Sequence, residues 1–283
     1  MPLFVVATPI GNLEDLSFRA LRTLKEADLI AAEDTRRTSK LLAHYEIRRP
    51  VISLREHNEA RETPRIISRL EKGEAIALVS DAGTPGISDP GARLVRAVRE
   101  RGFQVVPIPG PSAISAALSA SGFPGDEFVF MGFPPRSGEA RQDWLTRLNE
   151  ETRTVVFFES PHRIRRTLSD LQPDLVTRQI VVGRELTKVH EELVDSPNKE
   201  PKMAEVGEFT VVVGPAIESA QELDAIKAAA IGDMFCRLTN MAGLDEPTSI
   251  TLTATALAVP SRAVAKIIKK NRILAKRQSA VLP

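Results

Sequence analysis

Short runs of consecutive apolar residues alternate with stretches of helical periodicity through the first half of the chain. Loops rich in Gly, Pro, Asp or Glu follow most of the runs. Residues 3–7, 28–32, 51–54, 75–80 and 103–106 are the runs. A strand that is apolar at every position must be covered on both faces, which calls for a largely parallel sheet between helices. Between the runs, Leu13, Leu16, Leu21 and Leu24 recur at helical spacing, and a second helix-compatible stretch passes through Leu41 and Leu42. Thr63-Pro64 reads as an N-cap and first helical residue, with the helix stopping near Gly73; Asp89-Pro90 reads likewise ahead of a helix over 90–101 that Gly102 ends. The alternation predicts an α/β fold.

A small Ala/Ser-rich helix over 112–121 and a turn over 122–125 lead into a second series. Strands are expected over 128–132, 154–158, 179–182, 186–194 and 208–213, with helices over 139–148 and 161–171. The later strands lack intervening helices, so part of this sheet is expected to be antiparallel. Residues 196–202 read as a polar, proline-containing loop. After Gly214-Pro215 strand signals almost vanish, and residues 250–270 read as two short helices broken at Pro260. That pattern suits a helix-turn-helix hairpin or, more plainly, a helical extension covering an exposed face. The expected organisation is two α/β domains, 1–115 and 116–215, and a helical extension, 216–283, with the inner boundary at about 110–125.

Composition removes several classes. The 283 residues are 42% hydrophobic and 27% charged, which excludes disorder, collagen and disulfide scaffolds. The single cysteine, Cys236, leaves no room for an internal disulfide or a thiolate metal cluster. The start of the chain lacks the basic and apolar segments of a signal peptide, and no run is long enough to span a bilayer, so a cytoplasmic protein is expected. A net charge of +1 does not announce a nucleic-acid partner, although local patches carry such binding.

Five loops carry the chemistry-bearing residues: 8–12, 33–36, 81–91, 109–113 and 159–163. Loops that follow the strands of a parallel sheet share one edge, where ligands bind. The loop over 81–91 holds three glycines, two prolines and two aspartates, a composition for close backbone approach with acceptors for hydroxyls or amines. There is no GxxxxGK[ST], no GxGxxG after the first strand and no GxSxG, and no His pair at HxxxH or HExxH spacing. No metal is expected. Backbone polar groups, small side chains and acids suit a ligand with an adenosine part and no phosphate, such as S-adenosylmethionine.

The segments TPIGNLEDLSFRAL, EDTRRTSKLL, SDAGTPGISDPG, PGPSA, FESPHR and GRELTKVHEE occur in that order over residues 3–214. Together they resemble the successive motifs of the bacterial 16S ribosomal RNA (cytidine-2′-O)-methyltransferases, S-adenosylmethionine-dependent enzymes of the tetrapyrrole-methylase (class III) fold. Beyond Pro215 the resemblance is loose. It implies two α/β domains with the cofactor in the cleft between them, usually a homodimer. It also implies methyl transfer to the ribose 2′-oxygen of a cytidine on the small ribosomal subunit. Carried over to this sequence, the cofactor residues are Pro9, then Asp81, Gly83, Thr84, Pro85, Ile87 and Ser88, then Ser112 and Ala113, with Phe158 and Glu159 from the second domain.

Methyl transfer to a ribose hydroxyl needs alignment, and a base or a cation at the oxygen. The candidates are Lys188, Glu33 and His57, with Asn58 as an orienting donor. If residues 186–194 form a strand, Lys188 and His190 share one face. Phosphate contacts are expected from Arg36, Arg37, Arg136, Arg141, Arg163 and Arg184, within basic clusters that also include Lys40, Arg48, Arg49 and the seven basic residues from 262 onward. Residues 136–141 are expected to form a mobile substrate-contact loop. Two other readings keep parts of the pattern. A tetrapyrrole C-methyltransferase would share fold and cofactor but have little use for arginine-rich loops, and a non-catalytic nucleic-acid-binding module would not need the loop at Asp81.

Overall fold

The computed structural model describes residues 1–171, 178–195, 203–216, 220–241, 243–257, 261, 264–269 and 271. The loop expected at 196–202 and the break expected at Pro260 lie outside them. Residues 1–216 form one compact unit and residues 217–283 a second.

The first unit contains two five-stranded sheets. In the first, β1 (Leu3–Val6), β2 (Leu29–Ala32), β3 (Val51–Ser53), β4 (Ile76–Val79) and β5 (Val105–Ile108) lie in the order β3-β2-β4-β1-β5, all parallel. The unbroken apolar runs have the expected cause. Ile30, Ala32, Ala77 and Val79 face α1 (Phe18–Glu26) and α2 (Thr35–His44), while Leu29, Ala31, Ile76 and Leu78 face α3 (Glu59–Glu71) and α4 (Ala92–Glu100). Apolar side chains cover both faces of the central strands, as unbroken apolar runs require.

The second sheet has the order β6-β7-β10-β8-β9. Its strands are β6 (Phe128–Phe130), β7 (Thr154–Glu159), β8 (Ile180–Arg184), β9 (Glu192–Asp195) and β10 (Phe209–Val213). Only β6 and β7 pair in parallel; β10 runs antiparallel to β7 and β8, and β9 antiparallel to β8. One face packs on α6 (Glu139–Glu150) and α7 (Ile164–Leu171) through Trp144, Leu148, Leu168 and Phe157. The other packs on α5 (Ala113–Ser121), whose Ile114, Ala117 and Leu118 share a core with Val156, Val212, Leu186 and Ile10. The expected boundary at 110–125 therefore falls on a helix that carries the chain from one sheet to the other.

Three local expectations are corrected. The helix around Thr63-Pro64 begins at Glu59, not at Pro64. An upstream turn nucleates it: Asn58 Oδ1 accepts from Arg55 N at 2.7 Å, and Glu59 N donates to Arg55 O at 2.8 Å. Pro64 then leaves only the carbonyl of the exposed Ala60 without its helical partner. Second, Asp89 does not cap the following helix. Gly91, at φ 124°, precedes Ala92, and the buried Glu59 carboxylate accepts from Gly91 N at 3.1 Å and Leu94 N at 3.0 Å. A carboxylate from a neighbouring helix thus does the work of an N-cap. Third, residues 186–194 are not one strand. A turn over 185–190, with Glu185 at φ 49° and Thr187 at φ 67°, precedes β9 at Glu192. Lys188 and His190 therefore share no strand face. Burial of Leu186 in the α5 core, against Ile10, wins over continued pairing.

In the second unit, α8 (Ala220–Cys236) runs into a π-helical turn (Arg237–Met241). The next helix, α9 (Glu246–Ala256), is capped by Asp245, whose carboxylate accepts from Thr248 N at 2.9 Å. Ile231, Phe235, Ala254, Val264 and Ile268 form its small core. Cys236 is exposed. Among the described residues no helix is long and apolar enough to cross a membrane.

Replacing Glu59 by Ala strands two buried N–H groups. The variant is expected to lose about 1–3 kcal/mol of unfolding free energy in urea denaturation. Glu59→Gln, which keeps one acceptor oxygen, is expected to lose less.

Candidate functional site

The loops that follow β1, β2, β4 and β5 converge at the carboxyl edge of the first sheet, where parallel strands of an α/β layer present their ligand sites. A cavity of about 360 Å³ opens there, closed from the other side by the loop after β7 and the start of β10. Its size is in the range for a small-molecule ligand.

The loop after β4 forms the floor. Gly83 at φ 74°, Gly86 at φ 82° and Ser88 at φ 61° take left-handed conformations, so the chain folds back on itself without side-chain clashes. Thr8 and Gly83 exchange two backbone hydrogen bonds of 2.9 Å, which ties this loop to the one after β1. Of the residues expected to contact a cofactor, Asp81, Gly83, Thr84, Ile87, Ser88, Ser112, Ala113, Phe158 and Glu159 all line this cavity. Pro85 does not, and Pro9 lines a second cavity instead.

The first cavity is acidic. Glu33, Asp81, Asp89, Glu159 and Glu208 lie on its wall against a single cation, Arg37. Glu159 is fully committed: its oxygens accept from Ser160 N and Thr167 Oγ1, each at 2.7 Å, and it pairs with Arg163 at 2.7 Å. Asp81 accepts from Asp34 N at 2.9 Å and faces Arg37 at 3.6 Å. Glu33 and Asp89 are less well supplied. Burial raises the pKa of Glu33, and Asp81 adds to the rise beyond what its backbone N–H, Arg37 and Arg55 offset. Burial pushes Asp89 up to about 6; Glu33 and Asp81 reinforce the shift and a hydrogen bond from Ser80 opposes it. Crowded, half-buried carboxylates of this kind call for a ligand that brings positive charge. Ile10, Ile87, Phe133 and Phe158 supply apolar wall, the two rings 5.4 Å apart between centroids.

A second cavity of about 300 Å³ adjoins the first and shares Ile10, Arg37, Asp81, Ala82 and Glu208 with it. Pro9, Gly11, Lys40 and Lys188 complete the part that matters chemically. Lys188 reaches this wall because the 185–190 turn presses on the loop after β1. A Cβ on Gly11 would collide with Lys188 Cγ and lie 2.7 Å from Thr187 Oγ1, and Asn12 N donates to that same oxygen at 3.0 Å. Only glycine fits there. Lys188 Nζ lies 2.8 Å from Glu185 and 3.2 Å from Glu208. Burial pushes its pKa down, but the two carboxylates outweigh burial and hold it above the usual lysine value. Lys188 is thus a cation at neutral pH, not a base.

The remaining expectations divide. Glu33 is on the wall of the first cavity and Lys188 on that of the second, but His57 is an exposed turn residue on neither. Asn58 is occupied in building that turn, with Nδ2 donating to Ser53 O at 3.2 Å. Arg36, Arg37 and Arg136 are exposed. Arg141 and Arg184 are corrected as RNA contacts, because both are buried. Arg141 donates to Asp170, Thr167 and Pro135 O, and Arg184 to Val206 O and His190 O while pairing with Glu192. Arg163 is held by Glu159, Ser160 and Pro134 O. Their guanidiniums are held by carboxylates, of which Glu159 is buried, and by backbone carbonyls, and removing them to a phosphate would orphan those partners.

Residues 207–210 and Phe133 line the first cavity without having been singled out. Gly207, at φ 96° and tight against the Glu185 side chain, is the one signal ahead of β10. Gly11→Ala is expected to lose about 1–3 kcal/mol of stability through overpacking, read by urea unfolding. Gly125→Ala, whose Cβ meets only Leu118 at ordinary contact distance, is expected to stay near wild type.

The family model described as Tetrapyrrole (Corrin/Porphyrin) Methylases matches residues 2–202. Over 235 residues the chain is 49% identical to the ribosomal RNA small subunit methyltransferase I of Xylella fastidiosa, covering 80% of this chain and 84% of that one. It is 46% identical to the protein of the same name from Thermotoga maritima over 216 residues, covering 75% and 97%. Among solved structures, a uroporphyrin-III-C-methyltransferase from Thermus thermophilus superposes with TM-score 0.55 at 19% identity, covering 78% of this chain and 98% of that one. A diphthine synthase superposes with TM-score 0.58 at 14% identity, covering 76% and 90%. At those identities the likeness is one of fold.

Proposed function

This chain belongs to the tetrapyrrole (corrin/porphyrin) methylase family, and from that premise we propose that it is an S-adenosylmethionine-dependent enzyme that methylates the ribose 2′-oxygen of a cytidine in small-subunit ribosomal RNA. The observation that carries the reading is the pair of adjoining cavities, one acidic and one holding Lys188, in a chain 43–52% identical to small-subunit rRNA methyltransferases. A tetrapyrrole substrate is disfavoured by the same relatives, which carry the rRNA name.

The residues of the first cavity fit the cofactor. Glu33, Asp81 and Asp89 suit its ammonium and sulfonium charges, and Ile87, Phe133 and Phe158 suit the flat adenine. When bound, S-adenosylmethionine supplies an electrophilic methyl group: the ribose oxygen bonds to that carbon as the carbon–sulfur bond breaks, its electron pair staying on sulfur.

The chain's own contribution is alignment and electrostatics. Lys188, kept cationic by Glu185 and Glu208, stabilises the oxygen as negative charge develops on it. Asp81 and Glu208 both face a cation, but Asp81 also accepts from Asp34 N and is the less exposed, so Glu208 is the carboxylate placed to take the hydroxyl proton. Its side chain is 64% exposed and lies on the wall common to both cavities. Arg36, Arg37 and Arg136 are the exposed arginines read as phosphate contacts. The enzyme is read as a homodimer on family resemblance, with exposed Phe18 and Val189 available for burial, and a cytoplasmic place suits its rRNA-modifying relatives.

Tritiated methyl transfer tests this directly. Label is expected in 30S subunits, released as 2′-O-methylcytidine on digestion; label in uroporphyrinogen instead, or none in RNA, contradicts it. Lys188→Ala is expected to lower kcat by about 10²–10³ with cofactor affinity unchanged; unchanged turnover removes Lys188 from the site. The raised pKa of Asp89 sets a pH dependence. Below about 6 the free enzyme holds Asp89 protonated and neutral, whereas a cationic ligand favours its ionised form. S-adenosylmethionine affinity by calorimetry is therefore expected to fall as pH drops through about 6, with a proton released on binding there. Asp89→Asn is expected to flatten that slope.

A further inference from the structure

We propose that the second cavity is the acceptor-nucleotide site, taking one ribose of an unstacked nucleotide with its flanking phosphate, and that Lys40 and Arg37 on α2 hold that phosphate. The inference rests on the methyl-transfer reading above and assigns the acceptor's place within it.

The two cavities differ in charge as their two ligands would. In the first, five carboxylates face one arginine, and Glu33 and Asp89 have no cation committed to them. The second carries three cations, Arg37, Lys40 and Lys188, and only two acids, Asp81 and Glu208. Each of those acids is already paired, Asp81 with Arg37 at 3.6 Å and Glu208 with Lys188 at 3.2 Å. Lys40 is left over: it is exposed and makes no ion pair among the described residues. Arg37, with five donors and a side chain 62% exposed, keeps donors free after its contact with Asp81.

Position follows from the fold. Arg37 and Lys40 lie three residues apart on α2, so their side chains project to one side of the helix. That helix starts where β2 delivers Glu33 to the first cavity, so one element brings a carboxylate to the acidic site and two cations to the basic one. Ile10 and Ala82 supply the uncharged part of the shared wall, and Arg37, Asp81 and Glu208 the charged part. Glu208 stands at that wall with Lys188 Nζ 3.2 Å away on the basic side, where an entering ribose hydroxyl would meet the methyl donor. A volume of about 300 Å³ suits a sugar and phosphate, and enzymes that modify nucleotides inside folded nucleic acid extrude them into such pockets.

The test is Lys40→Ala, assayed on 30S subunits over a range of salt. The KM for 30S subunits is expected to rise about threefold to tenfold, and the slope of log affinity against log salt to shrink by about 0.7. Turnover at saturating 30S and S-adenosylmethionine affinity are expected to stay at wild-type values. A purely structural role for Lys40 would not move the salt slope. Wild-type KM and salt slope in Lys40→Ala, alongside normal methylation by the wild-type enzyme, would overturn the acceptor site and leave the enzyme reading standing. Equal weakening of S-adenosylmethionine binding would also overturn it, because the residue would then serve the cofactor. Failure of the wild-type enzyme to methylate any RNA would instead sink the reading on which the inference rests.

Discussion

The close approach of Gly11 to the 185–190 turn holds the site together. The loop after β1 belongs to the parallel sheet and the turn to the antiparallel one, and no strand pairing joins the two sheets. Contact between them rests on Ile10 and Leu186 in the α5 core, on the Asn12–Thr187 hydrogen bond, and on a glycine with no room for a methyl group. The turn accepts two left-handed non-glycine residues to make that contact. Strain of this kind persists where the surroundings over-determine it and function gains from the result. Here the result is a lysine on the wall of the second cavity, 3.2 Å from the Glu208 that both cavities share.

Electrostatics then separates the two ligands. A net charge of +1 conceals a division in which acids crowd the edge of the first sheet while cations line the next cavity along α2. A broad positive field would bind RNA anywhere, whereas a neutral surface with a localised basic cavity favours a particular nucleotide. Several arginines serve the fold rather than RNA. Arg141, Arg178 and Arg184 are buried and pair with carboxylates of the same sheet and helices or donate to backbone carbonyls. Depositing cations inside the protein is one way a chain with 38 basic residues avoids an indiscriminate surface.

Much of this was legible in the sequence, for physical reasons. Apolar runs mark strands covered on both faces, and the glycine-rich loop over 81–91 carries its backbone requirements in its composition. Nine of the eleven residues expected to contact the cofactor line the first cavity. Long-range contacts were not legible. Nothing local says that Glu59 caps a helix more than thirty residues away, or that Arg141 finds Asp170. Residues 186–194 read as one strand, and the burial of Leu186 in the α5 core replaces its first part with a turn. Glu208 was hidden because a lone acid ahead of an apolar strand carries no signal of its own.

The central claim is that cofactor and acceptor occupy adjoining cavities, with Lys188 on the acceptor side of the wall they share. A crystal structure with S-adenosylhomocysteine and a cytidine-containing oligoribonucleotide tests it most directly. The account predicts the cofactor sulfur beside Asp81 and Asp89, a ribose in the cavity at Lys40, and its 2′-oxygen within hydrogen-bond reach of Lys188 Nζ. Cofactor bound in the Lys188–Lys40 cavity, or a ribose oxygen held away from the wall the two cavities share, would contradict it.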